Sequence, residues 1–184
     1  IYSAVAKMHN FYKGMPHKRS KKDRELLVTL NGGLDENITF ADLLINSNYK
    51  YYRDNIVPQY ENYKNIYLIA NYRAKPKDIL SKSTHLKIPD NFFSNYKKVK
   101  QQIISKLQDI PSNSLILSSA SSLTNIIGHE IYRLRNDLTF IDVGTSINDL
   151  IGLDAITRSY HVTYFSKGFK SFLRKMRPSF YVRW

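Results

Sequence analysis

The chain has 184 residues, 42% of them hydrophobic, and a mean hydropathy of −0.41, values that suit one domain with a proper core and argue against disorder. It contains no cysteine, which excludes disulfides and thiolate metal sites, and no apolar run approaches the ~20 residues that cross a bilayer. The net charge of +13 and a pI near 9.8 favour anionic partners: a phosphorylated small molecule, anionic lipid or nucleic acid.

In chain order, the first charged segment is a basic loop at 14–22, in which His17, Lys18 and Arg19 could grip a diphosphate or form an ordinary solvated loop. A helix is predicted over 23–30, with Ser20 as its cap and Asn31-Gly32-Gly33 as its stop. The apolar run 41–45 reads as a strand. It hands over through Asn46, Ser47 and Asn48, which either cap the next helix or face a ligand phosphate or sugar. That helix is predicted over 49–60, with Pro58 expected to end or bend it.

A second strand is predicted over 66–70, followed by Asn71 and Arg73, where turn chemistry and a phosphate contact are both open. A weaker strand signal at 84–88 stops at Pro89. A helix over 94–107 sets Val99, Ile103, Ile104 and Leu107 on one face, and a short strand follows at 115–117. The loop Ser118, Ser119, Ala120, Ser121, Ser122 then leads into a helix over 122–134. Small residues there let backbone N–H groups approach an oxyanion, and a tight turn with a serine cap is the plainer alternative. It matches neither a Walker loop nor a dinucleotide fingerprint.

The last strand is predicted over 140–143. Asp142 inside an apolar run is costly to bury without a partner, so a specific role is expected for it: ribose or metal binding, a catalytic base, or a tether for the next loop. Gly144 and Thr145 follow, Asp149 is near enough in sequence to share the site, and Arg158 is a partner for Asp142 or for a diphosphate. The tail at 167–184 mixes aromatic and basic residues, as an interfacial helix on anionic lipid or a docked terminal helix would. Strands alternating with helices predict an α/β fold: an open, largely parallel, Rossmann-like sheet flanked by helices, with ligands beyond the strand carboxyl ends. The domain is expected to span 1–165, with 166–184 as a basic amphipathic tail.

These strand-end residues resemble a known family. Asn46-Ser47-Asn48-Tyr49, the segment 64–71, the serine loop, Thr139-Phe140-Ile141-Asp142-Val143-Gly144 and Thr157-Arg158-Ser159-Tyr160 look like bacterial GT-D-type glycosyltransferases of capsule, lipopolysaccharide and glycoprotein-glycan assembly. A Gly-x-Pro-His-x-Arg-Ser-like stretch before the first helix fits the same pattern, and the likeness covers roughly 10–160. It implies a nucleoside-diphosphate-sugar donor, a glycan or lipid-linked glycan acceptor, no organic cofactor and, in many members, a divalent metal such as Mg or Mn. On this reading Asp142 and Asp149 are the catalytic candidates. His17, Lys18, Arg19, Asn46, Asn48, Asn71, Ser118, Ser119, Ser121, Ser122, Gly144, Thr145 and Arg158 are the donor-binding ones.

The family's acidic Asp-x-Glu-type motif is not among residues 1–13, so it is expected immediately before Ile1. The implied location is cytoplasmic, peripheral on the inner face of the membrane. Two other readings compete. A methyltransferase is suggested by Ile141-Asp142-Val143-Gly144, which lacks the second glycine of that cofactor loop. A non-catalytic basic module, binding nucleic acid or docking within a polysaccharide-assembly enzyme, has charge in its favour but no nucleic-acid motif.

Overall fold

A computed structural model describes residues 9–16, 20–153 and 158–165. His17, Lys18 and Arg19, and the basic tail at 167–184, lie outside the described residues. The described chain opens with a small parallel pair, β1 (Lys13–Met15) and β2 (Ile38–Phe40), joined by α1 (Lys21–Asn31). Helix α1 stops at Gly32, which takes the left-handed conformation and donates to Thr29. Its amino end differs from expectation, for the Ser20 side chain makes no capping hydrogen bond.

The apolar run 41–45 is not a strand. The strand is the preceding β2, and 41–45 coils into turns in which Leu43 donates to the Phe40 carbonyl and Ile45 to the Asp42 carbonyl. Local turn bonds thus win over hydrophobicity, with Asn48 Nδ2 also holding the Asp42 carbonyl at 3.1 Å. The helix expected over 49–60 is equally irregular. A 3₁₀ turn (Asn46–Asn48) leads into one α-helical turn (Tyr49–Tyr51), a π-helical stretch (Tyr52–Ile56) and a second 3₁₀ segment (Val57–Asn62). Pro58 lacks an N–H and sits at the start of that last segment, where the missing donor is harmless.

The remaining elements follow the alternation expected. They are β3 (Ile66–Asn71), β4 (Thr84–Ile88), α2 (Tyr96–Gln108), β5 (Leu115–Ser119), α3 (Ser122–Leu134), β6 (Thr139–Asp142) and α4 (Ser159–Phe165). Strands β3 to β6 form one all-parallel sheet in the order β4-β3-β5-β6. This is the open α/β arrangement expected.

Alternation along each strand divides the core. Leu68, Ala70, Leu115 and Leu117 face one side, where Tyr49, Tyr52, Tyr60, Leu80, Ile147, Ile151 and Tyr160 pack on them. Ile69, Leu86, Ile88 and Ile116 face the other, covered by Val99, Ile103, Ile104 and Leu107 of α2 and by Leu123, Ile127 and Ile131 of α3. Gly128 permits that second contact, because a Cβ there would lie 3.0 Å from the Phe140 ring.

The chain leaves β3 toward β4 on one side, whereas from β5 it continues to β6 on the other. The order therefore reverses between β3 and β5, and their carboxyl ends diverge into a crevice. Among the described residues no helix is long and apolar enough to cross a membrane.

Candidate functional site

All four strands of the main sheet run parallel, so their carboxyl ends share one rim. Asn71 closes β3, Ser118 and Ser119 close β5, and Asp142 closes β6. Asn46 does not end a strand as expected; it opens the 3₁₀ turn after 41–45, in a left-handed conformation with φ 55°. Two clefts open among these residues, and together they divide the predicted site.

The first, about 590 Å³, is lined by Ile45, Asn46, Thr145, Arg158, Ser159 and Tyr160. It joins three predicted residues from separate parts of the chain: Asn46, Thr145 and Arg158. Its floor is rigid for identifiable reasons. The Thr145 hydroxyl lies 2.6 Å from the Tyr160 hydroxyl, and Tyr160 is itself buried against the Tyr49 ring at 4.9 Å. Burial holds the Tyr160 phenol above its ordinary pKa, so it stays protonated and able to donate.

Arg158 is the residue from which α4 starts, and the ring of His161 accepts its backbone N–H through Nδ1 at 3.3 Å. A side chain three positions into the helix thus reaches back to the capping residue, as Glu or Gln does in a capping box. Only neutral imidazole can accept that bond. Burial lowers the His161 pKa and so favours the neutral ring, against the opposing pull of Asp149. The Arg158 side chain is exposed, and no described carboxylate pairs with it.

The second cleft, about 400 Å³, sits at the crevice between the ends of β3 and β5. It is bordered by Asn71, Asp90, Phe92, Phe93, Ser119 and Ser121. Asn71 and Arg73 are tied together and to Asp90: Asn71 Nδ2 donates to Asp90 Oδ1 at 2.8 Å and Arg73 pairs with the same oxygen at 2.6 Å. Arg73 Nε also donates to Asn71 Oδ1 at 3.1 Å. Ser121 adopts φ 52° and ψ −141°, a conformation that costs a residue with a Cβ about 1–3 kcal/mol.

Most of the remaining candidates have structural partners. Ser118 is fully buried, and its hydroxyl lies 2.8 Å from that of Thr124, which also accepts the Ala120 N–H. Thr124, rather than a serine, thereby fixes the loop before α3. Ser122 is exposed at the first turn of α3, and Asn48 serves the turn at Asp42. Asp149 accepts a hydrogen bond from the Tyr49 hydroxyl at 3.1 Å and an ion pair from Arg53 at 3.0 Å, both on the tyrosine-covered face.

Asp142 is exposed and accepts the Gly144 N–H at 3.1 Å, which is the tethering role anticipated for it. The surrounding chain desolvates this carboxyl and raises its pKa, while the Gly144 N–H opposes the shift. No three His, Asp or Glu side chains converge to hold a metal ion among the described residues. Compared with known proteins, the chain matches no family model, no curated protein and no solved structure.

Proposed function

We propose that this chain is the donor-binding domain of a glycosyltransferase. On this reading it transfers a sugar from a nucleoside-diphosphate-sugar to a growing bacterial surface glycan, free or lipid-linked. One observation carries the reading: Arg158, which pairs with no described carboxylate, lines a roughly 590 Å³ cleft on the carboxyl rim together with Asn46 and Thr145. That volume suits a nucleotide-sized ligand. The chemistry suits a diphosphate, with a planar cation for its oxygens and an amide and hydroxyl for neutral groups. Asn46 and Arg158 also fall in the segments that resemble GT-D-type enzymes, and Thr145 directly follows one of them.

Sugar transfer develops negative charge on the departing diphosphate, and a preorganised guanidinium stabilises that charge more in the transition state than in the ground state. The capping bond from His161 holds the backbone from which Arg158 projects. Asp142, with its raised pKa, is the described group best suited to take a proton from an acceptor hydroxyl. Work at the cytoplasmic face of the membrane belongs to the same proposal, with anionic lipid contacted through 167–184.

The test is calorimetric titration of UDP and CDP into the parent chain and Arg158→Ala. Loss of one charge-assisted hydrogen-bonding group should weaken binding by about 1.5–3 kcal/mol, roughly tenfold to a hundredfold. Equal affinities in the two proteins would remove the assignment.

A further inference from the structure

The cleft between the ends of β3 and β5 differs in chemistry from the Arg158 cleft. Asp90 on its wall is paired with Arg73, so the pair adds no net charge. Phe92 and Phe93 stack at 4.2 Å between centroids, with Phe92 half-buried against the aliphatic core and Phe93 62% exposed. A large apolar ring that open to water beside a crevice is available to a ligand.

Asn71, Arg73 and Asp90 hold one another: Asn71 Nδ2 and an Arg73 terminal nitrogen both donate to Asp90 Oδ1, and Arg73 Nε donates to Asn71 Oδ1. Asp90, Ser119 and Ser121 all line the cleft, so a carboxylate and two hydroxyl-bearing side chains border it. An aromatic face, an oriented carboxylate oxygen and hydroxyls, with no surplus charge, form a complementary set. They suit a ligand with C–H groups on one side and several hydroxyls around its rim.

We propose that this cleft binds a neutral saccharide. Its ring would lie on Phe93, where axial C–H bonds meet the negative π-face, while its hydroxyls donate to Asp90 and exchange hydrogen bonds with Ser119 and Ser121. The site occupies the crevice where open parallel sheets bind ligands. As the acceptor subsite it rests on the glycosyltransferase reading, since it shares the rim with the diphosphate cleft. Saccharide binding itself can be measured without that reading.

The experiment is amide NMR of the isotope-labelled chain, titrated separately with neutral saccharides and with UDP. The panel comprises glucose, galactose, N-acetylglucosamine, rhamnose and their common disaccharides at millimolar concentration. At least one saccharide should shift the amides of Asn71, Phe93, Ser119 and Ser121. Phe93→Ala should weaken that saccharide by about threefold to tenfold, the scale of one aromatic contact. Asp90→Asn should weaken it as well, and both variants should keep the parent's affinity for UDP.

The proposal is overturned if no panel member moves those amides, if Phe93→Ala binds the saccharide as the parent does, or if UDP alone perturbs this cleft. Saccharide shifts here with no UDP binding anywhere would instead break the donor reading and leave the saccharide site standing.

Discussion

The two faces of the parallel sheet are built from different materials. One is covered by regular helices whose contacts are aliphatic: Val99, Ile103, Ile104 and Leu107 from α2, Leu123, Ile127 and Ile131 from α3. The other is covered by an irregular helix and turns, with Tyr49, Tyr52, Tyr60 and Tyr160 in its core and an Arg53–Asp149 ion pair beneath them. The aliphatic face needs only shape and area to be stable. The tyrosine face must also satisfy every hydroxyl and charge it buries, and it is this face that carries α4 and Arg158 to the rim. Rigidity on one side thus comes from packing alone, whereas on the other it is shared with a polar network that reaches the candidate site.

Four substitutions sharpen this contrast. The largest loss is expected on the aliphatic side: Ile116→Ala, at a fully buried position, should cost about 2–5 kcal/mol in denaturant unfolding and leave the Arg158 cleft's ligand affinity unchanged. Next comes Arg53→Ala, which leaves Asp149 without its ion-pair partner. A fully buried pair broken this way costs about 3–5 kcal/mol; 13% and 17% side-chain exposure here lowers the expectation to about 2–3 kcal/mol. Unlike Ile116→Ala, it should also loosen α4, seen as faster amide exchange at 159–165. Identical exchange in the two variants would erase the distinction drawn between the faces.

Tyr52→Phe comes third. It removes one of two hydroxyls that face each other at 3.0 Å and leaves that of Tyr60 alone in a buried setting, at about 1–3 kcal/mol in the same unfolding assay.

Asp142→Asn has the smallest effect and the opposite sign. Because its folded pKa is raised, the carboxyl's contribution to stability is complete below its ordinary value of 3.8 and is lost as pH rises through the folded value. The amide keeps an oxygen for the Gly144 N–H but carries no charge. The variant should therefore melt above the parent at neutral pH and together with it in acid, as a pH series of thermal scans would reveal.

The same contrast explains what could be read from the sequence. The aliphatic side was legible because its signals are local: α3 runs over 122–134 as its apolar spacing predicts, and β4 over 84–88 stops at Pro89 as expected. The tyrosine side was not, for its bonds join distant residues, Tyr49 to Asp149 and Tyr63 to Thr139. No window of sequence contains such a pair. The run 41–45 misled because its hydrophobicity is real but its backbone bonds close onto neighbours.

Within the site, Asn46, Thr145 and Arg158 were each visible as strand-end or loop residues. That they share one cleft while Ser119 and Ser121 border another is a matter of sheet order, which spacing does not encode. Phe92, Phe93 and Asp90 were missed. They follow an edge strand and Pro89, and their one signal was a pair of adjacent aromatics in a polar stretch.

The strand order also governs how the chain must fold as it leaves the ribosome. Ile66 pairs with Leu115, and Leu115 pairs in turn with Thr139, so β5, one of the sheet's two interior strands, is synthesised third of four. Until it emerges, β3 and β4 have only each other, and β3 presents a bare hydrogen-bonding edge. Parallel pairing of this kind closes long loops before contacts reward it, which slows folding. The nascent chain therefore passes through an interval in which Leu68, Ile69 and Ala70 are made but not covered, and chaperone capture during synthesis would act in that interval.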